Sequence, residues 1–382
     1  MKNLLKTILL FFVSISLASC SKAEKPFPEN REQIVFNKDK TENINKLNLE
    51  IFSTMLKSNK GENFVLSPLS IQRCLDLISL STEDRENLEF LKNYDDAHLQ
   101  NLKLKNSKLA NLILINTKNF NGETKNLNYD NVKTVKSSKE ATKTYQDFQK
   151  KHLEEILDKA EFDESLITSF IDTVNYDANW DQKFNESLTK MRDFKKLDGS
   201  VIQVNTMSNS FENSVAISDE EKEAFSMVAN DSKVYFIKPK KNEYFSADQL
   251  LETIYSLKNS SDSAEVTFFL PKIDTKTEVD FKSLFSKIGL DKMLSGYKLE
   301  KLLGNTEIKV SDAKQNSILK IDENGAKAKT VTKISNKSTA VPGKKHLTIK
   351  MDSPFYVIIE DLDEKSNTNL ITFSAFITDP SK

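Results

Sequence analysis

The chain has 382 residues, and its 55 Lys and Arg nearly balance its 56 Asp and Glu, which leaves a formal net charge of −1. This balance argues against a nucleic-acid-binding protein, because recognition of the phosphate backbone requires a concentrated basic surface. Three His and two Cys provide no set of four closely spaced zinc ligands, and the sequence contains no phosphate-binding Gly-rich loop and no nucleophile-elbow motif. We therefore expect no bound metal, no cofactor and no enzymatic activity.

The first residues have the composition of an export signal. Lys2 and Lys6 precede an apolar core, residues 8–17, that is too short to cross a bilayer as a permanent helix. The core ends in Leu17-Ala18-Ser19-Cys20, which resembles the lipobox at which bacterial signal peptidase cuts before the Cys. An ordinary secretory signal with an incidental Cys is the alternative.

A lipid chain on Cys20 would supply membrane affinity. We expect residues 1–19 to be removed as a lipoprotein signal peptide and residues 20–42, which are polar and contain Pro26 and Pro28, to be a flexible tether. The tether would hold one domain, residues 43–382. This organisation predicts a lipid-anchored protein of the bacterial cell envelope, at the outer membrane or the cell surface.

The rest of the chain alternates between helical and extended patterns. In chain order, the predicted elements are helix Glu42–Lys57, strand Asn63–Leu66, a helix from Pro68, strand Leu109–Asn116, helix Lys139–Lys159, strands Phe170–Tyr176, Val201–Met207 and Val234–Ile237, helix Ser246–Leu257, strand Val266–Leu270, helix Asp280–Ile288, the extended stretch Glu307–Ile321, and strands Phe355–Ile359 and Leu370–Ile377. No regular βαβ repeat is present, so we predict the α+β class.

Six short segments, in this order along residues 43–380, resemble sequence signatures of the serpin family. They are Asn63 to Ile71 (NFVLSPLSI), Trp180 with Phe184, Phe194, Gly199, Val204 and Met207, Leu270-Pro271-Lys272 with Leu284 and Gly289, Asp322 to Ala326 (DENGA), Ile349 to Val357 (IKMDSPFYV), and Asp379-Pro380. The resemblance implies a single domain in which about eight helices surround three β-sheets and from which a reactive-centre loop is exposed.

The resemblance also implies a mechanism, inhibition of a serine or cysteine protease as a suicide substrate. The protease would cut the loop, about residues 326–346, and the cleaved loop would then enter the central sheet as an extra strand. The loop hinge is Glu323, Gly325, Ala326 and Ala328. We expect a monomer whose partners are the target protease and, through the lipid on Cys20, the membrane, but not nucleic acid.

The loop sequence has the alternation that a half-buried strand requires, because successive side chains of a strand point to opposite faces. One parity contains only small or apolar side chains, namely Ala326, Ala328, Thr330, Thr332 and Ile334. The other contains Lys327, Lys329, Val331, Lys333 and Ser335. A solvated Lys-rich loop or an ordinary hairpin strand would be the alternative explanation.

The scissile bond is harder to locate than the hinge. Counting onward from Glu323, as the family does, gives Thr339–Ala340, whereas counting back from the segment at residues 353–355 gives a bond nearer Gly343. Lys337 would suit a trypsin-like protease. We take Thr339 and Ala340 as the candidate, with Lys337 as the alternative.

The polar cluster that the family buries beneath its central sheet is altered in this chain. The two Ser are present as Ser67 and Ser70, but Asp172 replaces an Asn and Gln315 replaces a His. A buried Asp must be protonated or well paired. Two functions therefore stay open: a membrane-anchored protease inhibitor, or a non-inhibitory serpin-fold surface lipoprotein with a binding or structural role.

Overall fold

The computed structural model describes residues 38–59, 61–83, 99–120, 132–153, 161–241, 243–310, 313–326 and 345–382. Several predicted functional residues lie outside these ranges, namely Cys20, Ala328, Lys337, Thr339 and Ala340.

The helices of the described residues vary from four to 19 residues in length. They are α1 (Lys38–Leu56), α2 (Pro68–Ser81), α3 (Ser138–Leu153), α4 (Ala247–Asn259), α5 (Lys282–Lys287), α6 (Lys292–Ser295) and α7 (Glu300–Leu303). Local sequence explains where the longer ones begin. The Ser67 side chain accepts a hydrogen bond from the Ser70 amide at the start of α2, where Pro68 occupies the first turn. Ser246 and Gln249 form a capping box at the start of α4.

The strands contain more of the described residues than the helices do. They are β1 (Phe64–Leu66), β2 (Ser107–Asn116), β3 (Val132–Val135), β4 (Thr168–Tyr176), β5 (Ala178–Asn179), β6 (Lys190–Lys195), β7 (Val201–Ser214), β8 (Ala216–Ser218), β9 (Lys222–Ala229), β10 (Ser232–Pro239), β11 (Ala264–Pro271), β12 (Ile273–Asp280), β13 (Tyr297–Lys298), β14 (Glu307–Ile308), β15 (Lys314–Ile321), β16 (Gly325–Ala326), β17 (His346–Lys350), β18 (Phe355–Asp363) and β19 (Thr368–Ile377).

A six-stranded sheet in the order β1-β19-β18-β10-β9-β8 separates two hydrophobic cores. Strand β10 shows how one strand serves both cores. Tyr235 and Ile237 belong to the core that includes the helices, whereas Val234 and Phe236 belong to the core shared with a four-stranded sheet, β17-β11-β7-β6. Alternate side chains of a strand face opposite sides, so the centre of this sheet is buried on both faces.

Two smaller sheets position the functional site. One has the order β3-β2-β4 and the other consists of β12 and β15. Among the residues that the structure describes, no backbone hydrogen bond joins β4 to β15. We call the space between these two strands the slot.

The predicted α+β class is confirmed, and three local predictions are corrected. Residues 38–42, predicted as the end of the flexible tether, belong to helix α1 (Lys38–Leu56). The helix predicted from Asp280 begins later, because β12 continues to Asp280 and pairs there with Lys314. The stretch predicted as extended over Glu307–Ile321 is not one strand but two, β14 and β15. Strand β12 itself was not predicted, since its Asp, Thr, Lys and Glu side chains hide the apolar alternation.

Candidate functional site: the hinge and the slot

The hinge lies at one end of the slot and connects the strands on its two sides. Gly325 pairs with Asn179 and Ala326 pairs with Ala178, in an antiparallel arrangement. Because β5 follows β4 after one residue, β16 lies on the side of β4 that faces away from β2. The first two residues after the hinge turn therefore already occupy the position of a strand added to β4.

Gly325 is required by the closeness of this pair. A Cβ at this position would overlap the carbonyl oxygen of Ala178 and would lie 2.8 Å from the Cα of Asn179. Ala326 follows with 2% of its surface exposed. The hinge sequence Gly-Ala thus matches the space available beside β5.

Trp180 fixes the turn that precedes this pair. Its backbone amide donates to the carbonyl oxygen of Asn324 at 2.9 Å, and its indole Nε1 donates to the carbonyl oxygen of Asp322 at 2.9 Å. The carboxylate Oδ1 of Asp322 in turn accepts from the Asn324 amide at 2.7 Å. Trp180 is the only Trp in the chain, so its fluorescence is a specific reporter of the hinge.

Glu323 anchors the turn through its side chain. Its carboxylate accepts a hydrogen bond from the Thr189 hydroxyl at 2.7 Å and forms an ion pair with Lys272 Nζ at 2.9 Å. Burial acts to raise the pKa of Glu323, but the hydrogen bonds from Lys272 and Thr189 outweigh it and leave that pKa below its usual value. Glu323 is therefore an ionised, well-paired group at neutral pH.

Below the hinge, β4 presents an accessible edge to the slot. Eight of its nine residues are half-buried. At Asp172 the side chain is 0% exposed although the residue as a whole is half-buried, so the accessible surface belongs to the main chain. Within the described ranges β4 pairs only with β2, and such a strand edge is a template for another strand.

Helix α2 lies under the slot and binds both sides of it. On the β15 side, Gln315 Oε1 accepts from the Ser67 amide at 2.6 Å, and Gln315 Nε2 donates to the Ser67 carbonyl oxygen at 3.0 Å. On the β4 side, the Ser70 hydroxyl donates to the main-chain carbonyl oxygen of Asp172 at 3.3 Å. The structure thus brings together all four residues of the predicted buried cluster, Ser67, Ser70, Asp172 and Gln315, around the start of α2.

The sequence did not predict the partner of Asp172, which is Arg73. Its Nε donates to Asp172 Oδ2 at 2.8 Å, and its guanidinium also donates to the Leu99 carbonyl oxygen. The side chain of Arg73 is 2% exposed. The sequence signal that could have identified this partner is the position of Arg73, one turn after Ser70 on a helix that is otherwise mostly apolar.

Burial raises the pKa of Asp172 to about 6, although Arg73 acts to lower it. Ser70 also acts to lower this pKa, but desolvation is the larger effect. Arg73 pairs with Oδ2, whereas Oδ1 is buried and forms no hydrogen bond with the residues that the structure describes.

Metal-binding groups and membrane-spanning helices were both sought among the described residues. They contain no group of three or more His, Cys, Asp and Glu side chains placed to hold a metal ion. None of the helices within these residues has the length and apolar character needed to cross a membrane.

The comparisons with known proteins agree on one family. A family model described as Serpin (serine protease inhibitor) matches residues 42–380. Antitrypsin of Bombyx mori is 22% identical over 346 residues, which cover 81% of this chain and 88% of that protein. Alaserpin of Manduca sexta is 23% identical over 354 residues, covering 82% and 89%.

Solved structures show the same fold. The thermophilic serpin tengpin in its native state superposes with a TM-score of 0.76 at 19% identity, covering 93% of this chain and 97% of tengpin. Human glycosylated kallistatin superposes with a TM-score of 0.71 at 17% identity, covering 89% and 98%.

Proposed function

Because the chain belongs to the serpin family, we propose that it inhibits a serine or cysteine protease as a suicide substrate. The protease attacks the loop that follows the hinge, and the acyl-enzyme forms. The cleaved loop then enters the slot and carries the protease with it, so that deacylation does not finish.

One observation carries this proposal: the hinge pair lies at one end of the slot between β4 and β15. The pair of Gly325 with Asn179 supports a start of insertion from this end. Next to it, the nine-residue strand β4 pairs with β2 and with no other strand among the residues that the structure describes. On the far side, β15 offers eight more. Each backbone hydrogen bond gained stabilises the inserted state by about 1 kcal/mol. The hydrogen bonds gained on complete insertion would therefore drive insertion strongly.

The register of the hinge pair supports the assignment of loop faces. Paired residues of an antiparallel ladder share a face. Extending the pair of Ala326 with Ala178 would place Ala328 opposite Tyr176, whose side chain is buried. Lys327 and Lys329 would then face solvent, which avoids the cost of burying their charges, several kcal/mol each.

We also propose that the inhibitor is anchored to the bacterial cell envelope by lipid on Cys20. The lipobox-like sequence Leu17-Ala18-Ser19-Cys20 and the polar residues that follow support this arrangement. The tether would allow the domain to meet proteases at the outer membrane or the cell surface.

The alternative function is that of a non-inhibitory, serpin-fold surface lipoprotein. The observation that favours it is the buried Arg73–Asp172 pair, since charged groups beneath the slot resist rearrangement. The two functions differ in what a protease does after it cuts the loop.

The deciding experiment is incubation with a panel of serine and cysteine proteases followed by denaturing electrophoresis. An inhibitor gives a covalent complex that survives SDS, and its mass equals the protease plus the chain cut in the loop. A non-inhibitory protein gives only the cut chain and active protease. Active-site-blocked protease is the control, because it forms no acyl-enzyme.

A further inference from the structure

The hinge turn contains an Asn followed by a Gly, Asn324-Gly325, a dipeptide in which the side-chain amide is readily lost. Gly carries no side chain that would obstruct the approach of its amide nitrogen to the preceding side chain. That nitrogen and the Cγ of Asn324 close a five-membered ring, so the chain itself holds the two reacting groups together. Asn324 is half-buried, so water reaches it.

The reaction available to this dipeptide is deamidation. The nitrogen of Gly325 loses its proton and attacks Cγ of Asn324, so that an N–Cγ bond forms and the Cγ–Nδ2 bond breaks. Nδ2 takes up the proton from Gly325 and leaves as ammonia. Water then opens the resulting succinimide at either carbonyl and leaves an aspartyl or an isoaspartyl residue at position 324. Water is the only other reactant.

In the structure, hydrogen bonds hold the groups that would react. The Gly325 amide donates to Asp322 Oδ1 at 3.3 Å, so its proton is engaged. The main-chain carbonyl oxygen of Asn324 accepts from the Trp180 amide at 2.9 Å. The side-chain Oδ1 of Asn324 accepts from Lys183 Nζ at 3.4 Å. The dipeptide is therefore fixed from both its main chain and its side chain.

Ring closure is incompatible with these contacts. The five-membered ring holds the Cα–C bond of Asn324 at an angle outside the main allowed backbone regions. Because the peptide unit is planar, this rotation turns the carbonyl of Asn324 and the amide of Gly325 together. There is no room for such a turn beside β5, since even a Cβ on Gly325 would overlap the carbonyl oxygen of Ala178. The hinge must first leave β5.

We propose that Asn324 is a deamidation site and that release of the hinge from β5 controls its reaction. The inference concerns the intact chain and does not depend on the proposed function. While Gly325 pairs with Asn179, the reaction is blocked, and after release the dipeptide reacts as it does in an unfolded chain. The isoaspartyl product has one additional carbon in the main chain, so Gly325 cannot return to its register opposite Asn179. A released hinge that reacts is therefore released permanently.

The test follows deamidation at position 324 during incubation of the full chain at pH 8 and 37 °C. Mass spectrometry of the peptide that contains position 324 detects the reaction, because loss of the amide raises the mass by about 1 Da. Fragmentation distinguishes the aspartyl from the isoaspartyl product. The wild type is compared in its folded state and in urea, where the hinge contacts are absent.

Three variants separate release of the hinge from other kinds of opening. Glu323→Gln weakens the anchor with Lys272 and Thr189 and so favours release. Glu278→Gln makes the same change at an exposed ion pair on β12. Leu250→Ala leaves a cavity in the core that includes the helices, whereas Trp180 and Ala326 of the hinge region belong to the other core. It therefore destabilises the whole domain without touching the hinge.

We expect position 324 to react at least about tenfold more slowly in the folded wild type than in urea, because release costs several hydrogen bonds. Glu323→Gln should react about fivefold or more faster than the folded wild type. Glu278→Gln and Leu250→Ala should react as the wild type does. The isoaspartyl form, separated by its additional negative charge, should have its Trp180 emission at longer wavelength than the unreacted protein.

Equal rates in the folded and the urea-unfolded chain, or no reaction in either, overturn the proposal. It is also overturned if Glu323→Gln reacts no faster than Glu278→Gln, or if Leu250→Ala accelerates the reaction as much as Glu323→Gln, since the reaction then proceeds through global unfolding. Unchanged Trp180 emission of the isoaspartyl form overturns the permanent release. The comparison of folded and unfolded wild type gives an answer even where Glu323→Gln fails to fold. No protease is present, so these outcomes are independent of the proposed function.

Discussion

Ala326 lies directly opposite Ala178 in an antiparallel pair, and both side chains are buried. A shift of this pair by one residue would turn each following side chain to the other side of the sheet. In the proposed inserted state, continuing the observed register would turn the small side chains to the interior and Lys327 and Lys329 to solvent, as the sequence alternation predicts.

Gly325→Ala tests the closeness of the hinge pair. The added methyl group overlaps the carbonyl oxygen of Ala178, so we expect the hinge to leave its position beside β5 and the indole of Trp180 to lose its bond to Asp322. The measurement is the fluorescence emission of Trp180, which should move to longer wavelength. Gly199→Ala is the control for backbone strain, since its φ of +83° disfavours a side chain but a Cβ there meets no atom within 4 Å; equal spectra for both variants would contradict the prediction.

Glu323→Gln tests the anchor of the hinge turn. Removing the charge weakens the contacts with Lys272 and Thr189, and we expect a loss of about 1–3 kcal/mol in the free energy of unfolding at pH 7. Because the pKa of Glu323 is lowered in the folded state, its contribution is present above the unfolded pKa and is lost as the pH falls through the folded pKa. The difference from wild type should therefore shrink in acid.

The matched control for this change is Glu278→Gln. The Glu278 side chain is 56% exposed and lies 3.9 Å from Lys314, and exposed pairs contribute about 0–1 kcal/mol. Urea unfolding at pH 7 and pH 4 measures both variants. A loss for Glu323→Gln no larger than that of the control would show that the anchor does not stabilise the hinge.

Much of this site could be predicted because its signals are local. Ser67 and Pro68 mark the start of α2, and the hinge sequence from Asp322 to Ala326 carries its own turn residues. Alternation in the loop follows from neighbouring positions alone.

The rest depends on contacts between distant segments. Arg73 and Asp172 are separated by 99 positions, and nothing in the sequence around either residue identifies the other. The separation of β4 from β15 is likewise a property of two strands that are far apart in the chain. Lys272 and Thr189 become partners of Glu323 only after three segments pack together.

Arg73→Met tests the buried pair. Loss of one partner leaves Asp172 buried and uncompensated, and such losses cost about 3–5 kcal/mol. Replacing both groups, in Arg73→Met/Asp172→Asn, should recover most of this stability because no buried charge remains. Urea unfolding at pH 7.5 provides the comparison. Similar losses in the single and double variants would show that the ion pair is not what stabilises this region.

Cys20→Ala tests the proposed anchor. Without the thiol no lipid can be attached, so we expect the protein to leave the membrane fraction or to keep its signal peptide. Detergent phase partitioning and the mass of the mature chain measure the two outcomes. Ser19→Ala, which keeps the thiol, is the control. Equal membrane retention of Cys20→Ala and wild type would exclude lipid on Cys20 as the anchor.

Ala328→Arg should convert the inhibitor into a substrate. Its side chain would face the buried Tyr176 after insertion, and desolvation of the charge costs several kcal/mol. The loop should still be cut at a similar rate, but deacylation should win the competition with insertion, since each 1.4 kcal/mol changes a rate about tenfold. Lys327→Ala, on the opposite face, should leave inhibition intact or improve it by removing repulsion with Lys329. The measurement is the number of inhibitor molecules consumed per protease inactivated. Efficient inhibition by Ala328→Arg would rule out strand insertion, and identical behaviour of the two variants would rule out the assigned faces.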